Sequence, residues 1–138
     1  MKRVVIVSKS SEVSDQIVAQ AIEQRLQSQG HVVFRDLDAE SNMLWAKSVM
    51  DQIHQADLLV PLLSKAAASS EHLAYQIETA HDTAQKHSGK PAIIPCLIQW
   101  VGPIPEPLGG LLAPIHHLLW EDEQDTEKLL EDIETRIR

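Results

Sequence analysis

Three polar segments of this chain follow short apolar runs, and they hold most of the residues equipped for chemistry. Ser8, Lys9 and Ser10 come directly after Val4-Val5-Ile6-Val7. Their hydroxyls and backbone suit the lining of a nucleotide pocket, or an ordinary turn into a helix. Asp36 follows the run His31-Val32-Val33-Phe34 and offers a carboxylate to ribose hydroxyls, or serves as loop solvation or a cap. Trp45 offers a flat ring for stacking on adenine or nicotinamide, or a core anchor for its helix. Ser70 begins a helical pattern that carries Gln76 on its second turn. A glutamine amide both accepts and donates hydrogen bonds, but it has no charge and takes no proton at neutral pH.

Other chemistries find less support. The seven histidines include an adjacent pair, His116-His117, which a strand would point to opposite faces. His81 and His87 are six apart, a poor spacing for one helical face, so no metal site is expected. The single cysteine, Cys96, excludes an internal disulfide and sits in an apolar run, where a core role is expected. No Gly-x4-Gly-Lys-Ser/Thr phosphate loop exists. The acidic pair and the aspartate of a phosphate-accepting receiver are missing, because the first and third strands end in Ser8-Lys9-Ser10 and Ser64. Ser8, Ser10, Ser11 and Ser14 leave a flavin-phosphate loop as an alternative, which yellow colour would reveal.

The 138 residues suit one domain, and an apolar fraction of 43% suits a globular core. A formal net charge of -8 repels phosphate backbones, so nucleic acid is not an expected partner. No apolar run is long enough to span a bilayer and no leader peptide is read, so no membrane contact is expected and a cytoplasmic setting is.

The residues above need a frame to position them. Val4 to Val7, His31 to Phe34, Leu58 to Leu63, Ala92 to Ile98 and Ile115 to Trp120 read as strands. Helices are predicted over residues 12–29, 43–55, from Ser69 or Ser70 to about 87, and 126–138. The first helix should bury Val13, Ile17, Val18, Ala21, Ile22 and Leu26, and the third Leu73, Ile77, Ala80 and Ala84. Pro61 should bulge or shorten the third strand. Alternating strands and helices require an α/β fold, a doubly wound parallel sheet of about five strands with helices on both faces. Ligands of such sheets bind beyond the carboxyl ends of the strands. The crevice loops are therefore residues 8–14, 36–42, 64–70 and 99–112.

This order resembles the bacterial branch of Toll/interleukin-1 receptor (TIR) domains over essentially the whole chain. Val7-Ser8-Lys9-Ser10 is similar to the family's opening motif, and Phe34-Arg35-Asp36 to its second strand. Trp45, the segment Ala56-Asp57-Leu58 to Ser64, and Ile94-Pro95-Cys96 match later landmarks. Ser70, Ile77 and Ala80 fit the central helix, where the family's glutamate falls on Gln76. The chain also departs at Val13, where an acidic residue is usual with Glu12 and Asp15 only nearby, and in the loop from Asp36 to Asn42, which lacks a glycine.

The resemblance implies a flavodoxin-like fold and signalling, including immunity, by homotypic assembly through the loop from Asp36 to Asn42. It also implies a pocket for NAD, as substrate or ligand rather than a tightly held cofactor, with Ser8, Lys9, Ser10, Asp36, Trp45 and Ser70 as binding candidates. In enzymatic members the glutamate supports cleavage of the nicotinamide–ribose bond. That cleavage builds positive charge on the ribose, which a carboxylate stabilises and an amide does not. Residue 76 is expected at the mouth of the crevice. Two readings stay open: a natural amide in a non-catalytic module, or a glutamate exchanged for Gln76 in an NAD glycohydrolase or ADP-ribose cyclase.

Overall fold

A computed structural model describes residues 2–8, 13–36, 43–106 and 108–137; the side chains of residues 36, 43–46, 66 and 72 fall outside that description. The β-branched run at the amino end forms β1 (Arg3–Val7), buried from Val4 onward. It lies centrally, with β2 (Val32–Asp36) on one side and β3 (Leu58–Leu63) on the other, all parallel. The strand order is β2-β1-β3-β5-β6, with β4 pairing β3. Because β4 (Ala92–Ile93) and β5 (Cys96–Ile98) pair successive parts of β3, they are two halves of one strand position. Pro95 lies in the break between them, and a proline has no N–H for a ladder. Five strand positions in the order 2-1-3-4-5 make the α/β, doubly wound, flavodoxin-like sheet.

Pro61 does not end its strand or bulge it. It pairs with Val7 at the last position of the β1–β3 ladder, where a missing N–H costs least. The final strand is shorter than the sequence pattern suggests, only β6 (Leu118–Trp120), parallel to β5.

Alternate residues along the strands divide the core in two. Val4 and Ile6 pack on one face with α1 (Val13–Ser28) and α6 (Thr126–Ile137). Val5 and Val7 pack on the other with α2 (Met43–Gln55), α4 (Glu71–Lys86) and α5 (Leu108–Leu112). The period of two in the strands therefore sorts the buried β1 side chains, Val4 to Val7, between the two helical layers.

The first helix buries only part of the face its apolar residues suggest. Val13 is 73% exposed and Ile17 39%, whereas Asp15, Val18, Ala19, Ile22 and Leu26 are buried. These buried positions repeat at three- and four-residue steps and form one continuous stripe. Its apolar residues are spread more widely than one helical face, and the sheet covers only this stripe. Two short helices, α3 (Lys65–Ala68) and α5, stand where the sequence suggests only loop. Gly109 is required in α5, since a Cβ there would collide with the Ile104 carbonyl.

Candidate active site

Three chain segments meet beyond the carboxyl ends of β1, β3 and β5 and enclose a cavity of about 1010 Å³. That is at the upper end of the range for small-molecule sites, about 300–1,000 Å³. Ser14 lines it from the start of α1. Ser64, Lys65 and Ser69 line it from the turn after β3 and from α3. Ile98, Gln99, Trp100, Val101, Pro103 and Pro105 line it from the end of β5 and the loop that follows. Three of the four crevice loops anticipated from the strand order thus supply the walls. The fourth, residues 36–42, lies outside the described residues apart from the backbone of Asp36, which closes β2 opposite Val7.

The hydroxyl-bearing wall is fixed from behind. The Ser64 hydroxyl donates to Asp15 Oδ2 at 3.0 Å and accepts from the Ala67 N–H at 3.2 Å. Ser64 therefore caps α3 while it ties that turn to the first turn of α1. Asp15 is fully buried. Burying a polar group is costly without a hydrogen bond, and the Ser64 hydroxyl supplies one to this side chain. With its proton given to Asp15 and its oxygen engaged by Ala67, Ser64 is a structural brace and not a free nucleophile.

The opposite wall is apolar and held under local strain. Gln99 leaves β5 with φ of 50°, a left-handed conformation that non-glycine residues rarely adopt. It is secured there by its own N–H on the Trp120 carbonyl at 2.8 Å and by its side-chain amide on the Glu121 carbonyl at 3.1 Å. Gly102 takes φ of 91°, and its carbonyl accepts the Trp100 indole N–H at 2.7 Å. Val101, between them, is 94% exposed.

The residues singled out in the sequence fall in several places. Ser8 is buried at the end of β1 and is not on the described lining. Ser70 caps α4, its hydroxyl accepting from the Leu73 N–H at 3.2 Å, and its neighbour Ser69 faces the cavity instead. Lys9, Ser10 and the side chains of Asp36 and Trp45 lie outside the described residues. Gln76, expected at the mouth of the crevice, is buried. It is 1% exposed, on the α4 stripe with Leu73, Ile77 and Ala80, and absent from the described lining. The helical repeat explains this: positions 73, 76, 77 and 80 share one face, and that face is turned to the sheet.

Sequence reasoning passed over Asp15 as merely nearby and missed Trp100. An aromatic residue immediately after a strand, at the carboxyl edge of a parallel sheet, was the available signal. Cys96 is fully enclosed on β5, and burial pushes its thiol up to about 12, which leaves it unreactive. Among the described residues, no group of three His, Cys, Asp or Glu side chains could hold a metal ion, and no helix is long and apolar enough to cross a membrane.

The family model for the TIR domain matches residues 5–133. No curated protein matches the chain. Among solved structures, the CMP N-glycosidase BcmB of Clostridium botulinum is similar at 17% identity and a TM-score of 0.64, covering 97% of this chain and 99% of that one. A flavodoxin-like domain from Synechococcus is similar at 19% identity and a TM-score of 0.63, covering 96% and 99%. A flavo di-iron protein from Thermotoga maritima is similar at 17% identity and a TM-score of 0.65, covering 96% of this chain and 34% of that one. At these identities the three likenesses establish the fold alone.

Proposed function

The chain belongs to the TIR domain family, and on that premise we propose that it is a signalling module that acts by self- or partner-association, keeps a cavity for an NAD-type nucleotide and does not cleave it. The observation that carries the silent reading is Gln76: neutral, 1% exposed and on the core-facing stripe of α4. Breaking a nicotinamide–ribose bond sends the bonding electron pair to the pyridinium nitrogen and leaves a cation on the sugar. A preorganised negative charge must face that cation, and one such group is typically worth about two to three powers of ten in rate. A neutral amide supplies none. The nucleotide part of the reading is supported by the cavity at the carboxyl edge of the sheet. It is also supported by the fold neighbour from Clostridium botulinum, an N-glycosidase of CMP, which likewise concerns a base–sugar bond. Association is assigned to the loop from Asp36 to Asn42, as the family resemblance implies.

The test is nicotinamide release from NAD, measured for the unmodified protein and for Gln76→Glu, at low and at high protein concentration. Silence in both, with concentration-dependent assembly by light scattering, is the expected result. Turnover by the unmodified protein would overturn the silent reading. Gain of turnover in the glutamate form alone would favour the other reading, an NAD glycohydrolase or ADP-ribose cyclase lacking only its carboxylate.

A further inference from the structure

The geometry points to Trp100 as the platform for the base of a nucleotide in the large cavity, with Lys65 holding its phosphate. This rests on the nucleotide part of the reading above and adds the orientation of the ligand. The cavity has two chemically distinct walls. The one that follows β3 carries Ser69 and a cation at Lys65, beside the Ser64 brace. The one that follows β5 carries Ile98, Trp100 and two prolines. A nucleotide has the same division, a flat ring at one end and hydroxyls with negative charge at the other.

Trp100 is prepared for the ring. Its indole N–H is already engaged by the Gly102 carbonyl at 2.7 Å, so the ring is held by a bond that makes no demand on a ligand. Trp100 is the only aromatic side chain on the described lining. The backbone just before it is bent into a rare conformation, φ of 50° at Gln99, and Gly102 beyond it takes the left-handed φ of 91° open to glycine. A strained non-glycine residue such as Gln99 persists only where the surroundings over-determine it, and such residues gather at ligand clamps. Here the anchors at Trp120 and Glu121 over-determine it. A fixed ring loses little freedom when a base stacks on it, which favours binding.

Calorimetric titration with NAD, AMP and ribose 5-phosphate separates the parts. The unmodified protein is expected to bind NAD and AMP, and ribose 5-phosphate much more weakly. Trp100→Leu should weaken both nucleotides by about tenfold or more, the usual cost of a lost base–aromatic stack, while Trp100→Phe stays within a few-fold. Lys65→Ala should weaken AMP binding and reduce its dependence on salt. In the unmodified protein, the Trp100 indole N–H resonance should shift with AMP and not with ribose 5-phosphate, a readout independent of whether the leucine variant folds. If NAD binds and neither the resonance nor the leucine variant responds, the platform is refuted while the nucleotide reading stands. If the unmodified protein binds no nucleotide, both fall.

Discussion

Replacing Gln76 by glutamate should make the stability of this domain depend on pH in a way the unmodified protein does not share. The exchange is nearly isosteric, but an amide that donates and accepts hydrogen bonds gives way to a carboxyl that can ionise. At 1% exposure the ionised carboxylate would be desolvated, which raises its folded pKa above the unfolded value of about 4.3. The α4 macrodipole gives little help, because residue 76 lies beyond the first turn of a helix that starts at Glu71. Fully buried carboxyls rise by up to about 3–5 units, so a rise of about two units is a conservative figure. At about 1.4 kcal/mol per unit, the variant should lose about 3 kcal/mol once pH exceeds the raised value. The sign follows from linkage: the unfolded chain releases the proton more readily, so deprotonation favours unfolding. The deficit is nearly absent below about pH 4, grows through about pH 4–7 and is constant above. For a domain of this size it amounts to a fall of about 10 °C in melting temperature near pH 8. Thermal melts of both proteins from pH 4 to pH 8 measure it. A melting difference that is the same at pH 4.5 and pH 8 would refute the burial argument and place the side chain in contact with solvent.

Other consequences are equally direct. Ser64→Ala removes the cap of α3 and the donor to buried Asp15, and should cost about 2–4 kcal/mol in urea denaturation; a loss below about 0.5 kcal/mol would show that the brace is dispensable. Cys96, with its thiol pushed to about 12, should resist maleimide at pH 8 and become labelled only along the urea unfolding transition. Labelling under native conditions would contradict its enclosure. The Asp57 carboxyl is held below its ordinary value, first by the Arg3 backbone N–H at 2.9 Å and then by Lys90 at 3.2 Å. Its contribution is complete above about pH 4 and is lost as pH falls through the lower folded value, so Asp57→Asn should flatten the acid limb of the stability curve. An unchanged acid limb would rule Asp57 out as a source of it.

The alternation of β-branched runs with amphipathic segments was enough to specify the sheet, because a strand buried on both faces and a helix buried on one have different periods. Val4 to Val7 and the helix around Ile77 illustrate it. The same local logic named the crevice loops, since ligands of a parallel sheet bind beyond the carboxyl ends of its strands. It failed at Val13 and Ile17, whose apolar side chains suggested burial that the sheet does not extend far enough to give. It also missed α3 and α5, which are too short to leave a periodic signal.

Sequence by itself determined the family, the α/β fold class and the absence of a charge at residue 76. Only the tertiary structure decided which way that residue turns, that Asp15 and Ser64 join across 49 positions, and that Trp100 reaches the cavity. The reason is physical. Periodicity and residue chemistry are encoded within a few neighbours along the chain, whereas a helix's rotation about its axis and the meeting of distant loops are set by what packs against them.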